Sequence, residues 1–323
     1  MKKIAVFTSG GDAPGMNACI RAVVRTALHF GHEVVGIRRG FQGMIDNYFI
    51  PMSPYSVSGI IQQGGTILRS ARSKAFRTKE GRKKAYDNLI AAEIDGIVAI
   101  GGDGTFTGAS VFMDEYPDIS IVGCPGTIDN DLFGTDYTIG FDTAINTAMN
   151  AIDNIKDTAN AHDRLFFIEV MGRDAGFIAL QTGIATGAEA ILVPEKRTDI
   201  DGIITMLDAS HKRKKNACIV IVAEGDDAGG AINISKQVAE KFSEYEIKVS
   251  ILGHIQRGGR PTCMERVRAS RMGLEAVKAL RAGEKGVMIG EIKGEIILTP
   301  FKEAIECHPE MNPSLLEIVK ILS

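Results

Sequence analysis

No apolar run in this chain is long enough to span a bilayer; the longest, such as Cys218-Ile219-Val220-Ile221-Val222-Ala223, are strand-sized. Charge of one sign is missing too: a net charge of −3 and a pI near 6.1 give no overall basicity to steer the chain to nucleic acid or an anionic membrane. Neither partner is expected. Cysteine is sparse and unpaired in sequence. Cys19, Cys124, Cys218, Cys263 and Cys307 form no C-x-x-C pair and read as reduced, mostly buried thiols of a cytosolic protein. Of the histidines, His29 and His32 lie close in sequence, but nothing joins them into a metal pattern. Lys2-Lys3 leads straight into Ile4-Ala5-Val6-Phe7, so no signal peptide is expected ahead of the first strand, and the location expected is the cytoplasm.

What is present is ordinary for a globular protein: 323 residues, 45% hydrophobic and 24% charged, a length that favours about two domains. Lys3 to Thr8 reads as a strand, Ser9 to Gly15 as a glycine turn, Met16 to Phe30 as a helix and Glu33 to Ile37 as the next strand. This βαβ pattern implies a parallel sheet. A loop-rich stretch from Arg38 to Pro54 and a short helix lead to Gly64-Gly65-Thr66, followed by the basic loop Arg69-Ser70-Ala71-Arg72-Ser73. Strands Asp95 to Ile100 and Ile119 to Val122 follow, then a long helix from Phe141 capped by Asp142 and Thr143. The second half repeats the style, with strands from Leu165, Ala190, Cys218 and Lys248, helices at Asp201 to His211 and Ser235 to Tyr245, and a hairpin-like pair from Val287. No low-complexity linker separates the halves, and doubly wound α/β is the natural class.

In that class ligands bind outside the carboxyl ends of the strands. Gly10-Gly11-Asp12, Gly101-Gly102-Asp103-Gly104-Thr105, Pro125-Gly126-Thr127-Ile128-Asp129, Met171-Gly172-Arg173 and Gly253-His254-Ile255-Gln256-Arg257-Gly258-Gly259 all follow strands. Glycines admit an oxyanion to backbone amides, and following helix starts add positive dipole ends, so the rim reads as an anion cradle. Arg72, Arg164, Arg173 and Arg257 near these junctions make phosphate the expected anion. An extended backbone beyond Gly126 puts Thr127, Asp129 and Asp131 on one face. Two carboxylates that close suit a metal-assisted reaction with one acid as base, while the same residues also fit a polar loop with aspartate caps. There is no G-x-x-x-x-G-K-[ST], no protein-kinase glycine loop and no complete dinucleotide fingerprint. Phosphoryl transfer then needs donors around the transferred group, a metal and a base, for which Gly11, Arg72 and Gly102 to Thr105, Asp103, and Asp129 stand respectively.

The strings T-S-G-G-D-A-P-G-M-N, I-G-G-D-G-T, P-G-T-I-D-N-D, E-V-M-G-R and L-G-H-I-Q-R-G-G, in order from Lys2 to about Gly290, together resemble bacterial ATP-dependent 6-phosphofructokinases. The resemblance implies two similar Rossmann-like α/β domains with mostly parallel doubly wound sheets and an active site in the cleft between them. Residues 1–139, with 252–305 returning, match the larger ATP-binding domain, 140–251 the smaller sugar-phosphate domain, and 306–323 a tail. It implies transfer of the ATP γ-phosphate to the 1-hydroxyl of fructose 6-phosphate, the committed step of glycolysis. Asp129 matches the base, Asp103 the Mg2+ carboxylate and Asp131 a further acid. Thr127 and Arg173 match groups on the transferring phosphoryl, and Gly11, Arg72, Ser73, Gly102, Gly104 and Thr105 match nucleotide contacts. Thr127, Ile128, Asp129, Met171, Gly172, Arg173, Glu224, Lys248, His254, Ile255, Gln256 and Arg257 match the sugar-phosphate pocket, with Arg164 arriving from a neighbouring subunit of a homotetramer.

Relatives that use pyrophosphate carry Asp where Gly104 stands and Lys where Gly126 stands, so ATP is the expected donor. The rivals are a pyrophosphate-dependent phosphotransferase and, from another class, a nucleotide sensor without turnover. Lys248 stands in place of the family's usual arginine and lacks its planar fork. Arg21, Arg25, Gly187, Glu189, Arg213 and Lys215 resemble the effector site for ADP and phosphoenolpyruvate, while Pro54 and Lys156 replace arginines there. By themselves Arg21 and Arg25 and the run His211-Lys212-Arg213-Lys214-Lys215 also read as solvated faces.

Overall fold

β-Branched and apolar runs closed by glycine-rich junctions become the inner strands of two sheets. The structure is a computed structural model, and residues 2–159, 161, 164–215 and 217–322 are described. The chain divides into two compact units, Met1–Thr143 with Arg257–Pro309, and Ala144–Gln256 with Glu310–Ser323.

The first unit begins β1 (Lys3–Thr8), α1 (Met16–His29), β2 (Glu33–Ile37), α2 (Gly40–Ile45), β3 (Phe49–Pro51) and α3 (Lys79–Ala91). It continues β4 (Gly96–Gly101), α4 (Asp103–Glu115), β5 (Ser120–Thr127), β6 (Ile139–Gly140) and the start of α5 (Phe141–Ala159). The second unit carries β7 (Arg164–Val170), α6 (Phe177–Thr186), β8 (Ala190–Leu192), α7 (Ile200–Lys212), β9 (Ala217–Ala223), α8 (Gly230–Ala239) and β10 (Glu246–Ile251). The chain returns to the first unit with α9 (Cys263–Ala282), β11 (Val287–Ile292), β12 (Glu295–Pro300) and α10 (Phe301–Glu306), and ends in the second with α11 (Pro313–Leu322), which packs on α6.

The larger sheet runs β12-β11-β5-β4-β1-β2-β3, with β6 paired to β5, and is parallel except at its edges, where β12 and β3 run antiparallel. The smaller sheet, β10-β7-β9-β8, is parallel throughout. Parallel strands are buried on both faces, which explains their continuous apolar sequences. Ala5, Phe7, Ile97, Ala99 and Ile121 meet Phe41, Leu89, Phe106, Phe112 and Phe301 on one side of the larger sheet. Cys124, of opposite parity in β5, donates its thiol to Met272 O of α9 on the other. In the smaller sheet Leu165, Phe167, Val220 and Val222 bury against Leu207, Ile234 and Val238. Each such large side chain removed from water contributes roughly 1.5–3 kcal/mol. Among the described residues no helix is long and apolar enough to cross a membrane.

Several local expectations change. The unit boundaries fall a few residues past those expected, and the final helix joins the second unit rather than standing as a separate tail. The segment from Arg38 to Pro54 contains α2 and β3, and turns replace the short helix after it. The helix expected over Ser235–Tyr245 is α8, which starts at Gly230, because Ala231, Ile234 and Val238 form its inward face. Phe242 and Tyr245 enter the same core from non-helical backbone. A residue far along the chain also serves the start of α5. Glu265 of α9 accepts from Gly140 N (2.8 Å) and Thr143 N (3.2 Å) at its first turn, while Asp142 accepts from the Thr262 hydroxyl.

Candidate active site

In the first unit the junctions after β1, β4 and β5 are neighbours because their strands are. Ser9 N donates to Ile100 O (3.0 Å), and β4 pairs with β5 in the register Gly101↔Pro125. A Cβ on Gly102 would stand 3.4 Å from Thr127 Cβ, so the residue before Asp103 lies against the β5 mouth. Beyond Thr127 the chain does not stay extended. Asn130 takes φ 57°, its side chain accepting from Thr138 N (2.7 Å) and donating to Asp136 O (3.1 Å). The strand alternation that would align Thr127, Asp129 and Asp131 therefore breaks, and Asn130 fixes the turn that aims them. Asparagine's tolerance of left-handed backbone was the one sequence signal of this role. Asp129 is only 3% exposed, and its N–H donates to Thr127 Oγ1 (3.2 Å); Asp131 is half-buried.

Asp103 opens α4 in solvent, one carboxylate oxygen accepting from Thr107 Oγ1 (3.1 Å). A Cβ on Gly104 beside it would have nothing within 4 Å, whereas at Gly126 a Cβ would meet Ile100 and Met16 at 3.0 Å. A side chain would be crowded at the second position and free at the first. Thr105 is buried, and Ile128, wholly buried, leaves only its main chain for a ligand. Arg72 is exposed. Ser73 is engaged locally, donating to Gln42 Oε1 (2.7 Å) and accepting from Phe76 N (3.1 Å). Arg257 lies on the β1 junction, its guanidinium in the space a side chain on Gly11 would fill.

The second unit gathers its own set at the ends of β7, β9 and β10. Gly172 takes φ 142° and Arg173 φ 55°; Arg173 N donates to Glu224 Oε1 (2.8 Å), joining two strand ends. Gln256 is fully buried and structural, its amide oxygen accepting from Met171 N (3.2 Å) and its nitrogen donating to Gly253 O (3.0 Å). His254 and Ile255 lie beside it, Ile255 well exposed. Arg164 and Lys248 are not brought to that rim: Arg164 opens β7, and both share Glu246, the first residue of β10, at 2.9 and 2.6 Å. Lys248 first and then Arg164 hold that carboxyl down at about 2.

The sequence profile of the phosphofructokinase family matches residues 3–280. The chain belongs to the phosphofructokinase family. It is 57% identical over 323 residues, the whole of both chains, to ATP-dependent 6-phosphofructokinase 1 of Thermus thermophilus. It is 52% identical over 323 residues to ATP-dependent 6-phosphofructokinase of Cytophaga hutchinsonii, covering 98% of that protein. Among solved structures it matches phosphofructokinase from Saccharomyces cerevisiae with a TM-score of 0.90 and 38% identity, over 95% of this chain but only 45% of the yeast chain.

An ATP-dependent phosphofructokinase implies a divalent metal with its nucleotide. Among the described residues no cluster of three or more His, Cys, Asp or Glu gathers as a ready metal cage. An exposed Asp103 with one oxygen turned from Thr107 fits a hard cation that keeps most of its ligands from water and phosphate. Of the residues resembling the phosphofructokinase effector site, Arg21 and Arg25 lie on α1. In the second unit Lys156 Nζ donates to Thr186 O (2.7 Å) beside Gly187, and buried Glu189 pairs with Lys215 and accepts from Ile219 N. Glu189 and Arg213 line a cavity of about 440 Å³ with Lys196 and Arg197 over Ile203 and Met206.

Proposed function

We propose that this chain phosphorylates D-fructose 6-phosphate at its 1-hydroxyl with MgATP, giving fructose 1,6-bisphosphate and ADP. The observation that carries the reading is the buried Asp129 at the β5 mouth, beside Thr127 and the Gly102–Asp103 junction, in a chain aligned end to end with an ATP-dependent 6-phosphofructokinase. Asp129 takes the proton of the attacking alcohol, and Asp131 is a further acid near the metal. Thr127 and Arg173 stabilise the transferring phosphoryl, Gly11, Arg72, Ser73 and Gly102 to Thr105 receive the nucleotide, and Asp103 holds Mg2+. That ion, when bound, neutralises phosphate charge as it develops. Lys248, His254 and Arg257 receive the sugar phosphate with Met171, Gly172 and Glu224, joined by Arg164 from a neighbouring subunit.

Gly104 supports ATP rather than pyrophosphate. Open space around it, with no backbone need for glycine, is what room for a larger donor requires. Homotetramer formation agrees with the exposed apolar Val249 and Ile251 on edge strand β10 and with Ile255. Effector binding by Glu189, Arg213 and Lys215 belongs to the same reading, as does a cytoplasmic location. The test is a matrix of ATP, GTP and pyrophosphate against acceptor phosphosugars, with Asp129→Asn beside wild type. Turnover of fructose 6-phosphate with ATP, lost in the variant, is the expected result; turnover with pyrophosphate alone selects the phosphotransferase, and binding without turnover selects the sensor.

A further inference from the structure

Three arginines outside the site described above surround a cavity of about 170 Å³ in the first unit: Arg38 and Arg39 after β2 and Arg69 ahead of α3, with Tyr48 completing the wall. Among the described residues no acidic side chain lines it, and no hydrogen bond or ion pair engages the guanidinium of Arg38, Arg39 or Arg69. Elsewhere Arg82, Arg164 and Arg271 each pair with a glutamate. Like charges around one small space repel, and an anion between them removes the repulsion.

The backbone beneath them is fixed. Arg39 N donates to Leu68 O (2.9 Å), Arg38 N to Tyr48 O (3.1 Å) and Arg69 N to Thr66 O (3.2 Å), while the Thr8 hydroxyl donates to Arg69 O (3.2 Å). Arg39 and Arg69 sit at φ 66° and 57°, where glycine or asparagine is favoured. Arginine is therefore not there for the turn; its side chain is the reason to keep it. Planar guanidinium forks around one space, beside a tyrosine, match a tetrahedral oxyanion.

We propose that Arg38, Arg39, Arg69 and Tyr48 form a binding site for a phosphate-class oxyanion on the outer flank of the β1 junction. The cavity is smaller than the roughly 300–1,000 Å³ that accommodates a whole small molecule, so it takes the charged group alone. That group is inorganic phosphate or the phosphate of an ester whose body stays in solvent. The site is separate from Arg21, Arg25 and the residues of the second unit that resemble the effector site.

The test is calorimetric titration of the full chain with inorganic phosphate, nucleotide site filled with MgADP, for wild type and the double variant Arg39→Gly/Arg69→Gly. Glycine suits both left-handed positions, so the fold survives the loss of charge, and an unchanged melting temperature verifies this. The expected result is saturable phosphate binding weakened at least tenfold in the variant, with an intermediate loss in Arg38→Gln and kcat at saturating substrates within twofold of wild type. Glycerol 3-phosphate in a second arm separates the sources: competition with phosphate admits esters, and none restricts the site to the free ion. Equal phosphate affinity in wild type and variant overturns the proposal, as does the absence of saturable binding in wild type. Phosphate affinity is read without turnover, so the result is independent of the kinase reading.

Discussion

At the mouth of the larger sheet the acid is buried and its neighbours packed, whereas at the mouth of the smaller sheet the charged groups stand closer to water. Asp129 is 3% exposed and Thr127 9%; Arg173 and Glu224 are both exposed. Under the proposed function the contrast separates two physical tasks. A base that moves a proton works through geometry fixed in advance, in surroundings where its field is weakly screened. Groups that receive a charged substrate stay hydrated until it arrives.

Breaking the buried half should cost most. Asp129→Asn keeps the shape but cannot accept the proton, and kcat should fall about 10²–10⁴-fold with little change in KM for the sugar; an undiminished kcat would remove Asp129 from the chemistry. Arg173→Gly suits φ 55° and removes the exposed side chain with its guanidinium, so a kcat loss of about 10²–10³-fold without a fall in melting temperature is expected. A loss confined to KM would make Arg173 a binding group only.

The two glycines sharpen the comparison within one rim. Gly126→Lys drives its side chain into Ile100 and Met16 and should cost about 1–3 kcal/mol in denaturant unfolding. Gly104→Asp meets open space and should leave that midpoint near wild type while raising KM for ATP. Equal destabilisation by both would show that Gly104 too is a packing glycine.

Glu265, beneath the start of α5, tests burial by pH. Burial, opposed by the N–H donors of Gly140 and Thr143, pushes its carboxyl from 4.5 up to about 7. The folded chain thus holds a proton that the unfolded chain releases at lower pH. Stability should fall as pH rises from about 4.5 to about 7 and level off above, by on the order of 3 kcal/mol at most. Glu265→Gln removes that slope, so the gap between variant and wild type in urea midpoint should differ between pH 5 and pH 8; parallel curves would place the ionised group at no cost.

Strand positions and the glycine junctions were legible in sequence because apolar runs and glycines are local signals. Asn130 and Glu265 were not. The turn at Asn130 depends on Thr138 and Asp136, and the partner of α5 at Glu265 lies 125 residues from Gly140. The start of α8 was misplaced because Phe242 and Tyr245 extend the apolar pattern past the helix end while being buried by tertiary contact. Arg38, Arg39 and Arg69 were visible only as basic residues; their convergence needs the β1–β2 neighbour relation.

The smallest effect is expected in the exposed half, at Lys248. Its ammonium rests 2.6 Å from Glu246 Oε1, and Arg164 also holds that carboxylate, so a sugar phosphate arriving here must draw Lys248 partly from it. A lysine has one charged point to divide between two anions, whereas arginine can keep one N–H on Glu246 and turn its other edge to the phosphate. Lys248→Arg should therefore lower KM for fructose 6-phosphate by about two- to fivefold, a fraction of the value of a bidentate charged bond because the group is solvent-screened, with kcat unchanged. An unchanged KM would mean that Glu246, and not the phosphate, is the partner Lys248 serves.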